Sequence, residues 1–306
     1  MDRRTFLSTA ALTALAAVST SSTSSGQVLQ RMQDRRQIRT EQTLVEQMRV
    51  RQVVRRGVAP EPKKIPIAVQ LYSVRNAAQR DLPGTLKAIA EMGYDGVELA
   101  GTYGRSFAEF KTMLDDVGLK CAGTHTGFDQ FRGDNLARTI ENHLTLETKF
   151  AIVPGGVSHN DLARNRAQAE EFNSIAERLK PHGLYTGYHA HGYDANLLDG
   201  IPSWERLFDA TVRDVVHQMD VGNYKDGGGD PYAMIAKFVG RSRTIHVKEG
   251  GPNRPIVGEG TVDWTRIFDL CETVGGVEWY VVEDEHAPNS LDRIERSIVA
   301  LRSMGK

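Results

Sequence analysis

Residues 67–100 read IAVQLYSVRNAAQRDLPGTLKAIAEMGYDGVELA. A short apolar run, Ile67–Ser73, precedes an amphipathic stretch, Pro83–Met92, and a second apolar run, Gly96–Ala100. The outer runs are bounded by turn residues and predict strands; the stretch between them carries apolar residues at helical spacing. Strand, crossover helix, strand is the building unit of a parallel sheet.

The unit repeats to the end of the chain. Further strands are expected at Lys120–Thr126, Phe150–Pro154, Leu184–His191, Val215–Val221, Thr244–Glu249 and Trp279–Glu285, so that successive starts lie 29, 24, 30, 34, 31, 29 and 35 residues apart. Helices are expected at Ser106–Val117, Asp161–Lys180 and Asp263–Val274, the last opened by Asp263 as cap and closed by Gly275-Gly276. Eight alternating units predict an α/β chain closed into a (β/α)8 TIM barrel, as a single domain over residues 65–306. An open doubly wound sheet is the competing architecture, but no glycine-rich phosphate fingerprint follows the first strand.

The region before the barrel has a different character. Arg3-Arg4 with Thr5-Phe6-Leu7, then the apolar run Ala10–Val18, reads as a twin-arginine signal, too short to span a membrane. With the Ser/Thr-rich spacer it occupies residues 1–26, and residues 27–64 form a basic, partly helical linker broken by Pro60, Pro62 and Pro66. The expectation is a periplasmic or exported enzyme with no membrane span after processing. Of the net charge of −1, residues 1–64 contribute +7, which leaves −8 for the barrel. An acidic body is a poor partner for nucleic acid. Cys121 and Cys271 are expected to be two buried free thiols, although export leaves a disulfide open.

In a barrel the carboxyl ends of the strands face the active site. Here the strands run apolar and end in polar residues: Gln70-Leu71-Tyr72, Glu98, His125, His189-Ala190-His191, Asp220, His246-Val247-Lys248 and Glu283. By period two His189 and His191 point the same way, as do His246 and Lys248. Imidazoles gathered with Asp220 and Glu283 at one rim are costly unless a cation or a substrate satisfies them. Mixed nitrogen and oxygen ligands suit one divalent ion, Mn²⁺, Co²⁺ or Zn²⁺, with Mg²⁺ also admissible.

Six strings carry a resemblance: Val69-Gln70-Leu71-Tyr72-Ser73, Gly93-Tyr94-Asp95-Gly96-Val97-Glu98-Leu99, Gly187-Tyr188-His189-Ala190-His191, Met219-Asp220-Val221-Gly222-Asn223, His246-Val247-Lys248-Glu249 and Gly258-Glu259-Gly260-Thr261-Val262-Asp263-Trp264. Taken in order, they resemble the xylose-isomerase-like sugar phosphate isomerase/epimerase barrels over residues 65–300. The resemblance implies a metal held by residues of the last four strands. Asp220, His246 and Glu283 match three of them, and His189 stands where relatives carry Glu. The His-x-His version is similar to the branch that contains inosose dehydratase and exported sugar enzymes, and leaves open whether His189 or His191 binds the metal.

The chemistry expected of such a site is proton abstraction next to the carbonyl of a sugar or keto-sugar, through an enediolate. Glu283, His189 and Lys248 are the catalytic candidates. Glu98, His125, His191, Asp194 and Tyr72 are the substrate-binding candidates, Glu259 is expected to order its loop, and Trp264 to pack. Isomerase, epimerase and β-eliminating lyase or dehydratase share this description. A homodimer is a further expectation from the resemblance. An endonuclease would need a larger cluster and a basic groove, and a non-catalytic sugar-binding protein would have little use for Asp220, His246 and Glu283 together.

Overall fold

A computed structural model of the 306-residue chain describes residues 64–253, 255–285 and 291–306. Of the signal and linker expected over residues 1–64, all but Lys64 lie outside the described residues. Eight parallel strands close a barrel: β1 (Ile67–Gln70), β2 (Gly96–Leu99), β3 (Lys120–His125), β4 (Phe150–Val153), β5 (Tyr185–His189), β8 (Val216–Asp220), β9 (Thr244–Val247) and β10 (Trp279–Val282). β1 pairs with both β2 and β10, which seals the ring. Between β5 and β8 lies an antiparallel hairpin of β6 (Leu197–Leu198) and β7 (Ile201–Pro202). Its turn is Asp199-Gly200, both at positive φ, the pairing that a two-residue hairpin favours.

Each expected strand exists, and all eight end earlier than expected because the chain leaves the ladder to build the rim. β5 stops at His189, so strand alternation does not extend to His191. The helices follow their caps. Ser106 and Glu109 form a reciprocal box at the start of the helix Phe107–Val117, and Gly118 closes it at φ 75°. Asp161 caps Leu162–Leu179, whose buried face carries Ala169, Phe172, Ile175, Ala176 and Leu179. The helix expected over Asp263–Val274 instead ends at Leu270 and continues as a π-turn, Cys271–Gly275. Cys121 and Cys271 are buried free thiols. No helix among the described residues is long and apolar enough to cross a membrane.

Inside the barrel the character changes along the strands. At the amino ends Ala68, Ala122 and Val281, with Phe150, Ile152 and Val216, pack about Trp279 as an apolar floor. Two positions further along, β1 and β8 present Gln70 and Gln218, and the neighbouring β2 and β9 present Glu98 and His246, all fully buried. A register shift at Val97/Glu98 against β3 lets both Ala122 and His125 face inward, although they are an odd number of residues apart. Thr124 turns the other way, to His143 on the helix Asn135–Thr145.

Gly187 holds β5 against β8. A Cβ there would lie 2.3 Å from the Val216 carbonyl oxygen and 2.7 Å from its Cβ. Gly187→Ala is therefore expected to push apart the strands that carry His189 and Gln218, with a loss of about 1–3 kcal/mol. Thermal denaturation reads this as roughly 2–4 °C per kcal/mol. An unchanged melting temperature would show that the strands tolerate separation.

Candidate metal centre

Four side chains from four neighbouring strands meet above the apolar floor: His189, Asp220, His246 and Glu283, all buried, with one ligand atom from each lying within 4.8 Å of the others. His189 Nε2 is 3.9 Å from both Asp220 Oδ2 and Glu283 Oε2. His246 Nδ1 bonds Glu283 Oε2. Zn²⁺ or Mn²⁺ bound at about 2.0–2.2 Å holds its ligand atoms roughly 3–4.4 Å apart; the His189 distances already fall in that range, and the hydrogen-bonded His246 and Glu283 would have to part to admit the ion. Two carboxylates and two imidazoles are a fitting donor set for such an ion.

The protonation pattern expresses the same crowding. Burial pushes the Asp220 carboxyl up to about 7, with Glu283 adding to the rise. Burial opposes ionisation of Glu283 too, but His246 and Lys248 outweigh it and hold that carboxyl at about 2. Burial alone would depress His246, yet Glu98 and Glu283 on its two sides raise it to about 10. His189 is driven well below its ordinary range by burial, with His246 and His125 adding to the effect. A neutral imidazole is the form that ligates a metal.

Each group is held from behind by its element. Asp220 closes β8 and caps the helix Val221–Asp226, accepting from Asn223 N at 2.8 Å and Asn223 Nδ2 at 2.9 Å. Gly222, two residues on, admits the chain just past β9: a Cβ there would be 2.6–2.7 Å from the carbonyls of Glu249 and Lys248. Lys248 lies just past β9, its Nζ 2.5 Å from Glu285 Oε2 and 3.7 Å from Asp220 Oδ2. Burial works against its charge, and Asp220, Glu283 and Glu285 more than compensate and hold it raised.

The remaining candidates fall in different places. Glu98 does not open onto the mouth: it is fully buried, and its carboxylate meets Gln70 Nε2 at 2.8 Å, Gln218 Nε2 at 2.8 Å, His246 Nε2 at 2.7 Å and His125 Nε2 at 3.2 Å. His125 stacks on His246 at 5.5 Å and tilts against His189 at 4.9 Å. His191 stands edge-on to His189, 5.0 Å away, and stacks on Tyr193. Tyr72 is 43% exposed, with the Arg75 guanidinium 4.1 Å over its ring.

Asp194 faces its own loop, where Oδ2 accepts from His191 N at 2.7 Å and Oδ1 from Tyr188 OH at 3.2 Å. Burial pushes its carboxyl up to about 7. The folded pKa exceeds that of the unfolded chain, about 3.9, so the group favours folding below pH 4 and loses this contribution as pH rises towards 7. Asp194→Asn is expected to remove that decline. Melting temperatures across pH 4–8 check it, and parallel curves for the two proteins would discount Asp194.

Two functional neighbours escape a reading confined to strand ends. Gln218 sits two residues before Asp220 on the same face, a buried polar group at period two that was available as a signal. Glu249, rather than Glu259, orders the loop after β9: it accepts from the backbone of Gly250, Gly258 and Val262 and from the Trp264 indole. Glu259 instead pairs with Arg296 at the surface. Trp264 is buried, as expected of a packing residue.

A closed parallel barrel with a mixed histidine and carboxylate cluster at the carboxyl ends of its strands defines a class, and the sequence profile agrees. Residues 86–304 match the xylose isomerase-like TIM barrel, and the chain belongs to that family. Among curated proteins it is 27% identical to the rhizopine catabolism protein MocC of Rhizobium meliloti over 244 residues, 67% of this chain and 74% of that one. It is 23% identical to the inosose dehydratase of Erwinia tasmaniensis over 257 residues, 70% of this chain and 86% of that one. The fold is also that of a sugar phosphate isomerase/epimerase from Parabacteroides distasonis, with TM-score 0.70 and 21% identity over 80% of this chain and 98% of the other. The IolI protein, solved with a bound zinc atom, superposes at TM-score 0.61 with 12% identity, over 78% of this chain and 99% of the other.

Proposed function

We propose that this chain is a divalent-metal-dependent enzyme that moves a proton on the carbon next to the carbonyl of a sugar or keto-sugar, as an isomerase or epimerase. The observation that carries the reading is the four-donor cluster of His189, Asp220, His246 and Glu283 at the barrel mouth. A divalent ion held there supplies Lewis acidity to a carbonyl and its neighbouring hydroxyl. In this reading Glu283 moves the proton, and the Lys248 ammonium, kept charged by its carboxylate neighbours, stabilises the oxyanion as charge develops. His189 serves as a ligand. His125, His191 and Tyr72 contact hydroxyls or the sugar ring.

A lyase reading has support of its own, because curated relatives are named inosose dehydratase. An enediolate either takes a proton back or expels a leaving group from the next carbon. One experiment separates them: the Mn²⁺-loaded protein is incubated with ketoses, inososes and keto-glycosides in deuterated water and followed by NMR and ultraviolet absorbance. Deuterium entering carbon with the skeleton intact supports the isomerase or epimerase. Loss of water or an aglycone, with enone absorbance, supports the lyase. No exchange on any substrate by metal-loaded protein would sink both.

We further propose export, on the strength of Arg3-Arg4 and the apolar run that follows. An exported enzyme meets unphosphorylated sugars. Cell fractionation is expected to find the wild type outside the cytoplasm and Arg3→Lys/Arg4→Lys retained; equal distribution would contradict it.

A further inference from the structure

Resting on the metal-enzyme reading, we propose that Glu98 and Gln218 form one hydrogen-bonded unit that fixes which nitrogen each imidazole presents to the cation. The unit sets metal affinity without touching the metal.

His246 has Glu98 Oε2 at 2.7 Å from Nε2, and its Nδ1 meets Glu283. A carboxylate only accepts, so both nitrogens carry hydrogen in the metal-free ring; a cation would displace the hydrogen on Nδ1, while Glu98 keeps the one on Nε2 and so leaves Nδ1 as the ligating nitrogen. His189 has Gln218 Oε1 at 3.2 Å from Nδ1, and turns Nε2 towards Asp220 and Glu283. That arrangement requires the Gln218 amide to face one way. Its Nε2 donates to Glu98 Oε1 at 2.8 Å and to Thr244 Oγ1 at 3.0 Å. Reversed, the amide would set its oxygen against the Glu98 carboxylate and its N–H against the donor on His189. Glu98 therefore orients His246 directly and His189 through Gln218. Glu98, Gln218 and His246 have no exposed surface, so solvent cannot replace a lost partner.

Gln70 supplies an internal control. Its Nε2 donates to Glu98 at 2.8 Å, with no bond to either imidazole. Glu98 is thus a positioning residue rather than a sugar-hydroxyl ligand, and Gln218 shares that role.

The test is metal binding, with no substrate involved. Apo protein is titrated with Mn²⁺ by calorimetry and with Co²⁺ by visible absorption, for wild type, Glu98→Gln, Gln218→Leu, Gln70→Leu and the Glu98→Gln/Gln218→Leu double variant. Circular dichroism checks folding. Glu98→Gln and Gln218→Leu are each expected to weaken binding by about 10–100-fold and to shift the Co²⁺ bands. The double variant should lose less than the product of the single losses, because both changes cut one unit. Gln70→Leu should lower the melting temperature and leave affinity and spectrum unchanged. Equal affinity losses in Gln70→Leu would reduce Glu98 to general support and overturn the proposal. So would two ions per wild-type chain falling to one in Glu98→Gln, since Glu98 would then be a ligand. If Glu98→Gln does not fold, Gln218→Leu decides alone, through the His189 branch. A wild type that binds no cation overturns the parent reading as well, and is recognised before any variant is made.

Discussion

His246→Ala is expected to abolish metal retention and turnover together. The imidazole lies between two buried carboxylates, Glu98 and Glu283, and is fully buried itself. Its removal takes away one of the four candidate ligands and the imidazole that both acids share, leaving Glu98 with His125 and Glu283 with Lys248; breaking a buried pair costs about 3–5 kcal/mol, and these remaining partners put the loss at the lower end. The activity loss should be at least about a hundredfold, since the Lewis acid contributes several kcal/mol to the transition state. Asp220→Asn is the companion: it nearly preserves shape and still holds Asn223 N, but no longer provides an anionic ligand. Plasma mass spectrometry, melting temperature with and without Mn²⁺, and deuterium exchange are the measurements. Wild type should gain stability from the ion by mass action, and both variants should not. Metal that stays stoichiometric in both variants would place the binding site elsewhere.

The fold was legible because its signal is distributed. Eight apolar runs at crossover spacing leave little choice but a closed parallel sheet, and no single run had to be right. The cluster was legible for a related reason: Asp220, His246 and Glu283 interrupt apolar runs where a barrel puts its chemistry, and the structure brings them together with His189. Other features depend on local geometry that period two does not encode. The register shift beside Glu98 turns His125 inward, and the end of β5 at His189 separates His191 from its neighbour. Glu98 and Asp194 read as substrate contacts because a sequence shows a carboxylate without its donors. The structure supplies them: four side-chain donors around Glu98, and the backbone of its own loop for Asp194. The Asp199-Gly200 turn was visible in principle, but strands of two residues offer no alternation to flank it.

Glu249 carries the last large expectation. Its carboxylate, 5% exposed, takes Gly258 N at 3.0 Å, Val262 N at 2.9 Å, Gly250 N at 3.3 Å and the Trp264 indole at 2.7 Å. One side chain thus ties both ends and the middle of the loop after β9 to the start of the helix Trp264–Leu270. Gly260 passes so close that a Cβ there would be 2.3 Å from Glu249 Cγ. From the same loop Pro255 and Val257 share a crevice with Lys248, Glu283 and Glu285, so the loop's shape bears on the metal centre. Glu249→Leu keeps much of the volume and leaves all four donors without an acceptor. Each buried orphan costs about 1–3 kcal/mol, but the loop can open to water instead, so the loss should settle near the free energy of that opening, about 3 kcal/mol. Glu249→Gln keeps one acceptor oxygen and should fall between the two. Limited proteolysis is expected to cut the leucine variant within residues 250–262 at protease concentrations that leave wild type whole. Its KM should rise more than its kcat falls, because the candidate metal ligands stand on strands that the loop does not hold. Wild-type resistance in Glu249→Leu would mean that the outer contacts, Lys225 to Thr261 and Asp226 to Gly251, hold the loop unaided.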